Sequence, residues 1–355
     1  MTARSMPPHK ILLVGPYPPP YGGLSVQLQQ WQQYLQKTHG SSCEVLNISE
    51  KRKEPVPGAW PVHGYLDFWR KLTKYARNGY LIHLFTNGHN FKSWLSALAC
   101  ALAGCFNHRR TVLVFGSGNL PVFIQKSGPL ALIVAGAALR LSGEIVCRND
   151  EMRDAIVKFG GNRSKVSIIS GYYGTFDHSA EVPRTIENFL RKHHPIIGAT
   201  ATTLGPEYGV RLLLDAAQQL LHQYPNLGIV VLGIGDNHRP QLRIHEQTSV
   251  CLAGALTNPI ALAVMSRLTI FVRPTLFDGD SRSVREALSI GIPVVASDTG
   301  YRPPGVKLFK SGSVADMTTA IRGVIDGSER VPTLRQTSTG LESIKEMLLI
   351  YSKLV

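Results

Sequence analysis

Residues 273–300 read RPTLFDGDSRSVREALSIGIPVVASDTG. An apolar run, Thr269–Val272, leads into Arg273-Pro274 and reads as a strand. A polar loop carrying Asp278-Gly279-Asp280-Ser281 follows. The spacing then predicts a helix over Ser283–Ser289, stopped by Gly291, and a second strand over Pro293–Ser297. Strand, loop, helix, strand in this order makes a parallel unit, with the loop at the carboxyl end of the first strand. A helix N-terminus offers unpaired N–H groups and the positive end of its dipole, so such a loop suits a phosphate. Asp278 lies in the loop and Glu286 eight positions on, so both can face one ligand. Carboxylates beside a phosphate-holding turn make sense if the ligand also carries sugar hydroxyls. A plainer reading stays open: Ser283 and Glu286 fit S-x-x-E, a capping box, with Asp278 as a turn residue.

The same alternation extends outward on both sides. Upstream, Ile196–Ala199, Gly228–Leu232 and Val250–Leu252 read as strands, with a helix over Arg211–Leu221 and a Gly233-Ile234-Gly235-Asp236 turn. Further back, Lys10–Val14, Tyr80–Phe85, Thr111–Phe115, Glu144–Cys147 and Val166–Ile169 read as buried strands. Gly22-Gly23 opens a helix that puts Leu24, Leu28, Trp31 and Leu35 on one face. Residues 174–194 are polar and irregular, with only a short helical piece, and read as an inter-domain linker. The expected architecture is therefore α/β, with two Rossmann-like domains facing a cleft: residues 1–180, a linker at 181–194, and residues 195–340. An amphipathic final helix over 341–355 is expected to cross back to the first domain.

Composition sets outer limits. The chain has 355 residues, 44% hydrophobic and 17% charged, enough apolar material for two cores. Lys and Arg exceed Asp and Glu by 14. Residues 1–190 carry +10 of that excess, pointing to an anionic partner for the first half. Five cysteines without a C-x-x-C suggest buried, reduced thiols rather than disulfides or zinc. No His/Cys/Asp cluster has metal-ligand spacing, so no metal is expected. The start, MTARSMPPHK, lacks a signal-peptide core, and no apolar run reaches membrane-spanning length. The expected location is cytoplasmic.

The 273–300 stretch resembles a family of retaining glycosyltransferases that use nucleotide sugars, group 1 (family four), with the two-domain GT-B fold. Its signature phrase is similar to EGFGLxxLEAMACGxPVVAxDxGG. Asp278-Gly279, Arg285-Glu286-Ala287-Leu288 and Gly291 through Gly300 follow that phrase. The resemblance continues in Gly22-Gly23, Ile82-His83, Ile168-Ile169, Gly209-Val210, Leu212–Ala216 and Gly233 to Asp236. It implies that Glu286 binds the donor's ribose hydroxyls, and that Asp278, in place of the first Glu, contacts the transferred sugar. It implies backbone contacts to sugar and diphosphate from Gly279, Asp280 and Ser281, at the helix start that includes Ser283. Gly22 and Gly23 would admit the diphosphate to the first loop. It also implies no metal and no cofactor beyond the nucleoside-diphosphate sugar itself. The acceptor would be a glycan or lipid-linked hydroxyl of the kind used to build cell-surface polysaccharide, often at the inner face of a membrane.

Departures from the family pattern matter. Thr203 and Tyr208 stand where an Arg and a Lys usually neutralise the diphosphate, and Phe115 where a His is common. Two readings follow. Arg273 and Arg282 supply the missing charge as a re-sited clamp, or the chain is a catalytically degenerate homologue acting as a scaffold or regulator. His83, His89 and Asn87 flank the loop after the third strand, where either a catalytic or a structural role fits. Residues 51–77 hold Lys51, Arg52, Lys53, Arg70, Lys71, Lys74 and Arg77 against Glu54 and Asp67, with Tyr65, Phe68, Trp69, Leu72 and Ala76 on one helical face and the basic residues largely on the other. This suits an anionic membrane surface or an ordinary covering helix. A nicotinamide oxidoreductase is disfavoured, since G-x-G-x-x-G is missing after the first strand. Nucleic acid is not expected as a partner.

Overall fold

Short β-branched and leucine runs between longer helical stretches leave the central strands buried on both faces, which requires parallel sheets covered by helices. The computed structural model describes residues 10–354 except 20, 40–41, 50–52, 109–110, 172–178, 244–245 and 329–338. The chain forms two units, residues 1–173 with 339–355, and residues 174–338.

The first unit runs β1 (Ile11–Gly15), α1 (Gly23–His39), β2 (Cys43–Asn47), α2 (Tyr65–Arg77), β3 (Leu81–Thr86) and α3 (Phe91–Cys105). It continues through β4 (Thr111–Phe115), α4 (Leu120–Lys126), α5 (Pro129–Leu141), β5 (Glu144–Cys147), α6 (Asp150–Lys158) and β6 (Val166–Ile168). The second unit runs α7 (Arg184–Lys192), β7 (Ile196–Thr200), α8 (Val210–Leu220), β8 (Gly228–Leu232), β9 (Val250–Gly254) and α9 (Asn258–Met265). It closes with β10 (Ile270–Arg273), α10 (Arg282–Ser289), β11 (Val294–Ser297), β12 (Val306–Phe309) and α11 (Val314–Ile325). The last helix, α12 (Thr339–Lys353), belongs to the first unit.

Each unit holds one six-stranded sheet among the described residues, ordered β2-β1-β3-β4-β5-β6 and β12-β11-β10-β7-β8-β9. All the paired strands are parallel. Alternate residues face opposite helix layers. On β1, Leu12 and Val14 pack with α2, α3 and α5, whereas Ile11 and Leu13 pack with Leu28, Trp31 and Leu35 of α1 and with Met347, Ile350 and Tyr351 of α12. In the second unit Ile197 and Val231 meet α8 and α11, while Val230, Phe271 and Val294 meet α7, α9 and α10. The second sheet changes direction between β7 and β10, the place where ligands of such sheets collect.

Several expectations change. The stretch expected as a linker contains α7, whose Ile186 and Leu190 are buried in the second unit's core, because its apolar residues repeat at helical spacing. Helix α2 buries Phe68, Leu72 and Ala76 but leaves Tyr65 68% and Trp69 36% exposed, so the apolar stripe is wider than the surface it covers. His83 does not flank a loop: it lies inside β3, fully buried. Phe115 is a core residue packed on Trp94, with ring centroids 4.8 Å apart. Cys43, Cys100 and Cys147 are buried, and burial pushes the Cys43 and Cys147 thiols up to about 12; Cys105 is exposed. Among the described residues no helix is long and apolar enough to cross a membrane.

Candidate donor-binding site

At the switch point, β7 ends on Thr200 and β10 on Arg273. Arg273 bridges the two strand ends, its Nη1 donating to the Thr200 carbonyl at 3.2 Å and to Thr200 Oγ1 at 3.0 Å. Its Nε donates to Asp278 Oδ2 at 3.0 Å. The same oxygen accepts from Arg302 Nη1 at 2.9 Å and Thr275 Oγ1 at 3.2 Å, and Oδ1 accepts from the Gly279 N–H at 3.2 Å. Burial alone would raise the Asp278 carboxyl. The charges of Arg273 and Arg302, with their hydrogen bonds, outweigh it and hold the group at about 2.

Two glycines make this loop possible. Gly209 has φ +66° and a Cβ there would lie 1.9 Å from the Pro274 carbonyl oxygen. Gly300 has φ +64°, and its Cβ would lie 2.2 Å from the Asp278 carbonyl oxygen. Neither backbone state nor either approach is open to a residue with a side chain. The loop is closed on its other side by Asp280. Asp280 Oδ1 accepts from Arg285 Nε at 2.7 Å, and the Arg285 guanidinium lies 5.4 Å from the Tyr301 ring centre. The Tyr301 N–H donates to the Gly279 carbonyl at 2.7 Å.

Helix α10 begins at Arg282 with Ser281 as its N-cap residue, and no side chain caps it. Glu286 is therefore the fifth helical residue, two positions past the third one that a capping box uses, and that reading is corrected. Its Oε1 accepts instead from Arg282 Nε at 2.7 Å and from Asn258 Nδ2 at 3.0 Å. Oε2 carries no hydrogen bond among the described residues. Ser283 Oγ accepts from Thr200 Oγ1 at 3.1 Å and lies 3.3 Å from Ser281 Oγ. Thus Arg273, Asp278, Gly279, Asp280, Ser281, Arg282, Ser283 and Glu286 come together around one helix start, as their spacing suggested. Gly22 and Gly23 sit in the other unit. Neither has positive φ, and a Cβ at Gly23 would meet no protein atom within 4 Å, so internal packing does not demand glycine there.

Arg302, Arg285 and Asn258 escaped the sequence reading. Arg302 is nearly buried and braces the loop through Asp278, the Ser297 carbonyl and Thr275. Its only signal was a basic residue two positions past the Asp298-Thr299-Gly300 run. With Arg302, four arginines face three carboxylates at this locus, a small positive excess suited to an anion. Thr203 and Tyr208 do not reach it with charge. Thr203 Oγ1 donates to Glu207 Oε1 at 3.1 Å, and Tyr208 Oη accepts from Thr202 Oγ1 at 2.7 Å.

Known proteins place the chain. Residues 194–326 match the model for glycosyl transferases group 1. An uncharacterized glycosyltransferase of Methanocaldococcus jannaschii is 29% identical over 104 residues, which cover 28% of this chain. The chain spans about a quarter of the length of that curated relative. Among solved structures, Anabaena HepE in complex with UDP superposes with TM-score 0.65 at 16% identity, covering 97% of this chain and 98% of that one. Sucrose-phosphate synthase from Thermosynechococcus elongatus gives 0.69 at 16% identity, covering 98% and 97%. The apo lipopolysaccharide outer core galactosyltransferase WaaB gives 0.62 at 14% identity, covering 97% and 99%. The fold is the two-domain Rossmann-like GT-B fold of these structures, and within the second unit residues 194–326 are similar to the glycosyl transferases group 1 family.

Proposed function

We propose that the chain transfers a hexosyl unit from a nucleoside-diphosphate sugar to a hydroxyl acceptor, with retained anomeric configuration. The observation that carries this is the turn at the start of α10. It has a positive helix end, a carboxylate on either side and a net excess of arginine. Glu286 Oε1 is held by Arg282 and Asn258, and Oε2 is the oxygen assigned to a ligand's ribose hydroxyl in this reading. Asp278 has one oxygen saturated by three donors, so its remaining role toward the sugar falls to Oδ1 and to the backbone of Gly279, Asp280 and Ser281. The helix end and the arginines stabilise the charge that develops on the leaving diphosphate. No side chain is assigned as a nucleophile; orientation and leaving-group stabilisation supply the acceleration. HepE, a structural neighbour, was solved with UDP and with UDP-glucose, which supports a uridine donor as the first to try.

The acceptor is proposed to be lipid-linked or a growing cell-surface glycan, met at an anionic membrane surface. Exposed Tyr65, Leu66 and Trp69 on α2, with Arg70, Lys74 and Arg77 on the same helix, support this. A UDP-, GDP- and ADP-sugar panel, read as donor hydrolysis or transfer, tests the activity; no turnover with any donor would refute it. Binding to vesicles containing anionic lipid, lost in high salt, tests the surface.

One observation favours a second reading. Arg273 and Arg282, the expected clamp, are each already bound by a carboxylate, at 3.0 and 2.7 Å. A degenerate homologue that binds nucleotide without turnover would show a UDP-induced rise in Tm and no transfer in the same panel.

A further inference from the structure

The ion pairs around the β10–α10 turn do not share charge evenly. Arg282 pairs with Glu286 at 2.7 Å and Arg285 with Asp280 at 2.7 Å, one guanidinium to one carboxylate, so each pair is neutral. Asp278 is different. Its Oδ2 faces Arg273 at 3.0 Å and Arg302 at 2.9 Å, so two positive charges meet one negative charge. The positive surplus of this turn therefore sits wholly in the Arg273–Asp278–Arg302 triad. Two further carboxylates close in sequence are exposed and engaged elsewhere. Glu207 accepts from Thr203 Oγ1 at 3.1 Å, and Asp298 accepts from the Ser311 N–H at 2.8 Å.

The two guanidinium groups of the triad are not equivalent. The left-handed turn at Gly300 folds the chain back against the Asp278 backbone, and the Tyr301 N–H pins it to the Gly279 carbonyl, which brings Arg302 onto the loop. Only 4% of the Arg302 side chain is exposed, and all three of its nitrogens donate to the protein. Nε donates to the Ser297 carbonyl at 2.9 Å and Nη1 to Asp278, while Nη2 donates to the hydroxyls of Thr275, Ser297 and Thr299, each at 3.3 Å. Arg302 is thus spent on the protein. Arg273 is more open, with 14% of its side chain exposed. Its Nε and Nη1 are used on Asp278 and Thr200, whereas Nη2 donates to no group among the described residues and is not shut off from solvent. Were Asp278 to face Arg273 alone, the pair would be neutral and would draw an anion only weakly. With Arg302 supplying the counter-charge, the triad keeps a whole positive charge, and Arg273 is the member that a ligand can reach.

We propose that Arg302 is a positioning residue for the donor's diphosphate: it takes over the neutralisation of Asp278 and leaves the charge of Arg273, through Nη2, for a phosphate oxygen. This rests on the reading that a nucleoside diphosphate seats at the start of α10. It also alters what the carboxylate on Arg273 means. A shared carboxylate leaves the guanidinium charged toward a ligand, where a private one would cancel it. Arg282 and Arg285 have private carboxylates and add no net charge.

The test titrates UDP, GDP, ADP and inorganic pyrophosphate into the full chain by calorimetry, at low and at high salt. R302M leaves Asp278 to Arg273 alone and cancels the surplus. Affinity for the best-bound nucleotide and for pyrophosphate should fall about tenfold or more, as for the loss of a charged hydrogen bond, and the binding that remains should depend less on salt. D278N/R302M removes one charge of each sign, returns the surplus to Arg273, and should bring both affinities back near those of the parent. A purely bracing role predicts the opposite order, because the double variant loses the brace and its anchor together. R302M binding as the parent does, or a double variant no tighter than R302M, overturns the proposal. If R302M does not fold, the double variant is compared with the parent directly, and a loss of about tenfold or more overturns it. A parent that binds none of the four ligands sinks the donor reading itself; a parent that binds, with R302M unaffected, sinks only the role given to Arg302.

Discussion

Asp278 is held between two guanidinium groups that exist in the fold largely to meet it. Removing its charge strands Arg273 and Arg302, both well buried, without compensation. D278N should therefore lose about 3–5 kcal/mol of stability in denaturant unfolding; a loss below about 1 kcal/mol would mean that the pairs are screened like surface ones. The sign of the pH dependence follows from the depressed carboxyl. Its folded value of about 2 lies below the unfolded one, so its contribution is whole above about pH 4 and disappears as pH falls toward 2. That contribution is on the order of 2 kcal/mol, and D278N should lack this acid-sensitive component. Glu286 differs, because its role is proposed toward the ligand. E286Q keeps the shape and bonds of Oε1 poorly but removes the charge offered to a ribose. UDP affinity should fall about 10–100-fold, from the worth of a charged hydrogen bond, and isothermal titration would show it. Unchanged affinity would return Glu286 to a structural role.

Among the elements, the β10–α10 loop depends on turns supplied by distant segments. Gly209 precedes α8 and Gly300 follows β11, yet both meet the 274–278 backbone. G209A should cost at least about 2 kcal/mol through strain and collision, and should weaken UDP binding through the loop as well. Calorimetry on the variant gives both readings; a Tm within 1 °C of the parent would contradict the close approach. Helix α12 makes the opposite kind of connection. Tyr351 Oη accepts from Trp31 and reaches His83, tying α12 to α1 and β3 in the first unit. Y351F leaves two buried groups unsatisfied and should destabilise by roughly 2 kcal/mol or more, expressed in the first unit rather than the second.

At the scale of the molecule, two separately packed units make strict two-state unfolding unexpected. UDP should raise the transition of residues 174–338 alone, by about 2.7 kcal/mol at a hundredfold excess over Kd; a shift confined to the other transition would move the nucleotide site. Much of this was already written in linear order. Alternating short apolar runs and helical stretches dictate parallel covered sheets, since a strand buried on both faces needs helices on both. The Asp278–Glu286 spacing likewise brings one loop and one helix start together, because both lie on a continuous segment of 28 residues. What needed three dimensions was every pairing across distant segments. Arg302 on Asp278, Asn258 on Glu286, Thr200 on Arg273, and Arg148 on Gln27 are set by sheet order and loop closure. Local periodicity reports which way a side chain faces, not which remote group it will meet. Charge balance at a buried site is a property of those meetings.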